Sequence, residues 1–452
     1  MIRSQLLAVA VASTVFLACG AAPDGGGGSP DGGATLDVHG RVVGPTGVAL
    51  AGLSVGIGEK TAVTDMDGRF SITGVVPPYD LNVVLAGTPV SVGRYEGLTR
   101  PDPTITFLLL FGTVVPNTAT IAGTVSGGEP IGSQGLFTTA FFTTSEAHSD
   151  FTAIGITSRN NPFTLPVSWF GPEAISGTVH VLQFEAPGPG ESPTAYTGYG
   201  THSALAVTRD GELTGADVAL TAPGNATIDG TIAVPDGYQV QEKTLGLEVS
   251  GLTAVPIGHV DDGDTAFTFT VPQGIPATAA VTVNADGNGA GSVSLRVSGI
   301  APGSTGVSLV LPAPGQPIAP DDGATVGAGT ELSWHSLEHA VHLLSLSGGP
   351  GEPFVYVVTG APTARLPELP ELPAGSTYHW FVAELGPFDG IDAFTGGANL
   401  FPALGTSFQT SAQRAASSSA DPAHGCFCRN RSMASFCWVA LPVWNCVSVM
   451  RT

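Results

Sequence analysis

Apolar and polar residues alternate along this chain in short runs. Phe267-Thr-Phe-Thr-Val271, Ala216-Asp-Val-Ala-Leu220 and Val307-Ser-Leu-Val-Leu311 each direct apolar side chains to one side with a period of two. That period belongs to strands with one buried face. Gly, Pro and Asp bound the runs, and beyond residue 20 no extended segment places apolar residues at helical spacing. The pattern predicts an all-β chain. Composition agrees: with 62 Gly and 36 Pro among 452 residues, long helices are broken, while 42% apolar residues suffice for several cores. Sandwich-sized units of roughly 100 residues give about three or four domains at this length.

Internal repetition places them. Thr120-Ile-Ala-Gly-Thr-Val125 and Thr227-Ile-Asp-Gly-Thr-Ile232 are the same opening strand, and Val38-His-Gly-Arg-Val42 echoes them. Each later carries a Phe-Thr strand, Phe163-Thr-Leu-Pro and Phe267-Thr-Phe-Thr-Val-Pro, and closes on an apolar strand, Ala216–Leu220 and Gly306–Leu311. Tandem sandwiches over residues 118–222 and 225–312 follow from this period.

The segment 35–112 carries Gly40-Arg-Val-Val-Gly-Pro, Gly47-Val-Ala-Leu-Ala-Gly52, Thr64-Asp-Met-Asp-Gly-Arg-Phe70-Ser-Ile and Val75-Val-Pro-Pro-Tyr79 in order. It resembles the carboxypeptidase regulatory-like domain, which implies a transthyretin-like sandwich. Asp67-Gly68 would form the tight turn before a strand burying Phe70 and Ile72. After the Pro-rich stretch Pro312–Pro317, residues 316–411 carry Leu332-Ser-Trp334 and Thr377-Tyr378-His-Trp380-Phe-Val. They resemble a fibronectin type III domain. The resemblance implies that Trp334 fills the core and that Tyr378 makes a corner bonded back to the backbone. The fold class is thus all-β, with tandem immunoglobulin-like and transthyretin-like β-sandwiches.

The two ends differ from this body. Met1-Ile-Arg3, an apolar run from Leu6, and Phe16-Leu-Ala-Cys19-Gly20 form a charged start, a stretch too short to span a bilayer, and a small residue before a cut. This resembles a bacterial lipoprotein signal over residues 1–18, with Cys19 as the lipidated residue. Phe16 and Leu17 depart from the commonest lipobox. Residues 19–34 are a Gly-rich flexible tether. Gly20, where aspartate signals inner-membrane retention, favours the outer membrane. Residues 412–452 form a tail holding Cys426, Cys428, Cys437 and Cys446. In an exported protein these predict two disulfides. Strain excludes Cys426–Cys428, leaving Cys426–Cys437 with Cys428–Cys446, or Cys426–Cys446 with Cys428–Cys437.

Charge narrows the partners. At a net charge of −22 the surface repels nucleic acid and anionic headgroups, so membrane attachment is expected through the lipid. No cofactor motif is present. Gly52-Leu-Ser54-Val-Gly56 matches the nucleophile pentapeptide of serine hydrolases, but it lies in an alternating strand with no helix after it. His335, His339 and His342 lie within eight residues, yet strand spacing holds residues four apart about 13 Å from each other, too far for one metal. Asp65-Met-Asp-Gly68 and Asp261-Asp-Gly-Asp264 read as acidic turns without a calcium-loop frame. Trp169, Tyr196 and Tyr199 are the candidate platform for stacking a sugar ring. The expectation is a non-enzymatic, lipid-anchored cell-envelope protein serving as surface scaffold, spacer or adhesion module. The alternative is a carbohydrate-binding or substrate-capturing surface lipoprotein. Its partners would be the membrane and glycans or cell-surface proteins.

Overall fold

The computed structural model describes residues 34–417, apart from 46, 88–89, 109–114, 131–132, 147, 151–152, 156–161, 250–253, 289–290, 322, 350, 368–376 and 398–405. Cys19, Cys426, Cys428, Cys437 and Cys446 lie outside the described residues. The described chain is β throughout, except for one turn of helix.

The first unit has strands β1 (Leu36–Val43), β2 (Ser54–Ile57), β3 (Lys60–Val63), β4 (Arg69–Val75), β5 (Tyr79–Leu85), β6 (Ser91–Leu98) and β7 (Thr104–Thr106). The second has β8 (Asn117–Gly127), β9 (Leu136–Thr143), β10 (His148–Asp150), β11 (Ala153–Gly155), β12 (Pro162–Phe170), β13 (Ala174–Glu185), β14 (Ala195–Thr208), β15 (Glu212–Leu213) and β16 (Val218–Leu220). The third has β17 (Gly224–Ala233), β18 (Gln239–Val249), β19 (Val255–Val260), β20 (Ala266–Gln273), β21 (Ala277–Asp286), β22 (Ser292–Ile300) and β23 (Val307–Val310). The fourth has β24 (Pro317–Ala319), β25 (Glu331–Trp334), β26 (Val341–Ser347), β27 (Phe354–Thr359), β28 (Thr363–Arg365), β29 (Thr377–Gly386), α1 (Ile391–Phe394) and β30 (Thr406–Ser417).

The repeated opening strand has one physical cause. In each of the first three units it sits between an antiparallel Phe-bearing strand and a parallel closing strand: β4-β1-β7, β12-β8 with β15 and β16, and β20-β17-β23. Its glycine pairs in register with the phenylalanine: Gly40 with Phe70, Gly123 with Phe163 and Gly230 with Phe267. A Cβ on these glycines would lie 2.3, 2.9 and 2.6 Å from the opposing ring, and 2.9, 2.2 and 2.1 Å from the carbonyl oxygens of Pro103, Ala216 and Val307. The ring lies over bare backbone, so the glycine is required by close approach.

The units are tandem in sequence, but in space they share sheets. A single twelve-stranded sheet runs β19-β18-β21-β22-β30-β29-β26-β27-β6-β5-β2-β3, passing from the third unit through the fourth into the first. The fourth unit thus docks on the first, far back along the chain. Within it, Trp334, Tyr378 and Trp380 are buried in one core. The Tyr378 hydroxyl, expected to bond to backbone, instead donates to the Glu352 carboxylate at 2.9 Å.

Candidate functional site

The residues picked out as possible chemistry lie apart. Ser54 opens β2 with its side chain in solvent, and β3 follows it as the second arm of a hairpin. His335 and His339 are exposed, whereas His342 is buried with Nδ1 3.5 Å from Glu384 Oε1. His339 instead faces Asp389 at 3.1 Å. Asp65 is occupied by its own turn: its Oδ1 accepts from the amides of Asp67 (2.9 Å) and Arg69 (2.8 Å). Among the described residues no group of three His, Cys, Asp or Glu side chains is arranged to hold a metal.

The acidic turn Asp261–Asp264 has a partner that the sequence concealed. Lys243, on the central part of β18, is 1% exposed. Its Nζ donates to the Asp262 carboxylate and to the carbonyls of Asp264 (3.1 Å) and Ala266 (3.0 Å). An ammonium has three donors, and all three are used. The turn satisfies a buried charge, and the bond to Lys243 holds the Asp262 carboxyl below the usual carboxylate range.

The aromatic platform is corrected by the structure. Trp169 is 0%, Tyr196 2% and Tyr199 8% exposed, so no ring face is open to a sugar. The reason lies in the sheet β11-β9-β13-β14, which is covered on both faces. One face meets the core of the second unit. The other carries Phe141, Leu182, Phe184, Tyr196 and Tyr199 against Leu247, Val249 and Val255 of the third unit. Trp169 belongs to the second unit's core, its Nε1 donating to the Pro172 carbonyl at 2.8 Å. His180 lies on the same face as Tyr199, stacked on Phe141 at 5.1 Å. Its ring nitrogens lie 3.0 Å from the Tyr199 hydroxyl and 2.9 Å from Thr143 Oγ1. Burial pushes this imidazole down to about 4.

What the structure does build is a set of seams. Between the first and fourth units, β27 pairs in parallel with β6 from Phe354↔Ser91 to Val358↔Tyr95. Tyr356 lies over Gly93, where a Cβ would come within 2.2 Å of the phenol oxygen. The Tyr356 hydroxyl accepts from the Leu108 amide (3.1 Å) and donates to the Thr106 carbonyl (3.3 Å). Asp392 of α1 accepts from the Thr99 amide (3.0 Å) and hydroxyl, while the Arg100 guanidinium donates to the Asp392 carbonyl (2.8 Å). Val341, Leu343, Phe354, Leu385 and Phe394 join the first unit's core, so the two units share one interior.

Between the third and fourth units, β30 pairs with both β22 and β29. Glu384, 0% exposed, accepts from the amides of Gly315 (2.7 Å) and Leu337 (3.0 Å), fixing the connecting segment. Between the second and third, the Asn225 side chain pairs with both the amide (2.7 Å) and the carbonyl (3.2 Å) of Tyr196. Apart from Tyr196, sequence reasoning did not single out these residues. Glu384 alone of them left a signal, as the one acidic residue inside the apolar strand β29.

No protein-family model matches the chain, and no curated protein matches it in sequence. Among solved structures, it is similar to the tip fimbrial protein Mfa3 from Porphyromonas gingivalis at 10% identity and a TM-score of 0.17, covering 41% of this chain and 82% of that one. A streptococcal ancillary pilin aligns at 10% identity and a TM-score of 0.15, over 62% of this chain and 99% of that one. The Bacillus anthracis TIE protein aligns at 11% identity and 0.14, over 61% of this chain and half of its own length. At such scores the likeness adds nothing to the sheets described above.

Proposed function

We propose that this chain is a non-enzymatic, lipid-anchored scaffold or spacer of the cell envelope, held to the outer membrane through Cys19. The observation that carries the reading is the fusion of three units by one hydrogen-bonded sheet with shared or buried seams. Flexible substrate capture needs open clefts between mobile domains, whereas a spacer needs fixed ones. Here the buried Glu384 pins Gly315 between the third and fourth units, and Asn225 pins the start of the third unit to Tyr196 of the second. No helix among the described residues is long and apolar enough to cross a membrane. The sugar-capturing alternative loses its support with the burial of Tyr196 and Tyr199.

Two measurements test this reading. Clickable fatty-acid labelling should mark the wild-type chain and not Cys19→Ala, which should leave the membrane fraction. Equal membrane retention of Cys19→Ala overturns the anchor. Small-angle scattering of the exported chain should give one rigid shape, independent of salt, and a spread of interdomain distances overturns the spacer.

A further inference from the structure

The twelve-stranded sheet ends at β3, and that end is open. The β2–β3 hairpin closes with Ile57 opposite Lys60, and the Thr64 amide continues the ladder to the Leu53 carbonyl at 3.0 Å. Antiparallel ladders alternate, so Lys60, Ala62 and Thr64 face β2, while the backbone groups of Thr61 and Val63 face away from the sheet. No further strand pairs with β3 among the described residues. Beside this edge Val63 is 66% and Met66 87% exposed, and Ala62, Val63, Arg69 and Ser71 line one shallow groove between β3 and β4. An open edge with apolar flanks is a template for another strand.

We propose that the chain's own tail fills it, with residues 436–441 adding as a strand along β3. Three observations select this occupant. Phe436-Cys-Trp-Val-Ala-Leu441 carries no charge and precedes Pro442, which favours extended backbone at Leu441. The register carries the end of β30 to the correct end of the sheet. Ala415 pairs with His379, His379 with Ser347, Ser347 with Phe354, Phe354 with Ser91 and Ser91 with Leu85, and the adjacent Val84 leads through Ser54 to Val63. Finally the reach suffices: β30 and β3 are seven strand spacings apart, about 34 Å, while residues 418–435 extend to about 60 Å.

The test is hydrogen–deuterium exchange on the full exported chain, residues 20–452, with light scattering alongside. Amides of residues 436–441 should exchange at least ten-fold more slowly than an unstructured peptide, in a monomer. Val63→Pro removes only an outward amide, leaving the bonds to β2. It should release that protection, as should Val63→Lys, which keeps the backbone intact. Exchange of the tail at the unstructured rate in the wild type overturns the proposal. So does protection that both variants leave unchanged. Protection confined to a dimer assigns the edge to a second copy and overturns it equally. None of these outcomes depends on the lipid anchor.

Discussion

Two seams of this molecule are built from different materials. The one between the first and fourth units is a backbone ladder with a common core, in which Tyr356 packs on Gly93 and reaches both Thr106 and Leu108. The one between the second and third is chiefly side chain against side chain, Phe184, Tyr196 and Tyr199 on Leu247, Val249 and Val255. A shared ladder makes two units into one cooperative object, because neither can unfold without exposing the other's strand edge. A face-to-face contact leaves each unit its own closed core, so its loss costs only the contact. The contrast teaches that sequence order does not set mechanical order here. The first unit is tied to the fourth more closely than consecutive units are tied by packing.

The largest expected effect falls on the fused seam. Tyr356→Ala removes a fully buried ring, for which large-to-small changes cost about 3–5 kcal/mol. Calorimetry should show the first and fourth units melting together at a lower temperature, with the second unit's transition unmoved. If only the fourth unit's transition shifts, the two do not form one cooperative object.

Acid should separate the seams next. His180 in the folded chain titrates at about 4, below the ordinary histidine value, because burial disfavours the charged ring. As pH falls through about 6.5 the unfolded chain takes up a proton that the folded chain does not, so stability is lost between about 6.5 and 4 and levels off below. The shift corresponds to about 3 kcal/mol at most. At the fused seam the buried phenols of Tyr95 and Tyr356 are pushed upward instead, and stay neutral across this range. Denaturant unfolding at pH 7 and pH 4.5 should therefore weaken the second unit while His180→Gln flattens its response. A pH response unchanged in that variant would remove His180 as the cause.

How much of this was legible in the chain depends on distance. The Gly-Thr/Arg-Val/Ile openings and Phe-Thr strands were readable because Gly123 and Phe163, or Gly230 and Phe267, meet inside one unit under a local steric rule. The turn Asp65–Gly68 was readable for the same reason. The seams were not, since β6 and β27 pair across more than two hundred residues and neither carries a mark for its partner. Tyr196 and Tyr199 misled because alternation shows which residues share a face and not what covers it. Their strand, β14, lies in a sheet with two dry sides. Lys243 shows the converse. Nothing in its own strand names its three acceptors, which come from the Asp262–Asp264 turn and the start of β20 and are brought beneath it only by the fold.

A truncation on the packed seam should be smaller than Tyr356→Ala and confined to its neighbours. Leu247, 2% exposed, meets the second unit's aromatic face, and Leu247→Ala costs about 2–3 kcal/mol at a site that can partly collapse. The expected result is faster exchange of amides in β13, β14 and β18, with β6 and β27 unaffected. Loss of protection at β27 would mean that the packed seam is coupled to the fused one through the third unit.

The smallest effect tests how the packed seam tolerates polarity. The Tyr196 hydroxyl is buried with no hydrogen-bond partner among the described residues, and burial raises its phenol far above the ordinary value. An unsatisfied buried hydroxyl costs roughly 1–3 kcal/mol, a cost that phenylalanine at the same position does not carry. Tyr196→Phe keeps the ring against Phe184, 6.2 Å between centroids, and leaves intact the two backbone bonds to Asn225. It should raise the midpoint of the second unit slightly or leave it unchanged. A measurable loss would show that the hydroxyl has a partner in solution, and the seam would then be wet at that point, not sealed by packing alone.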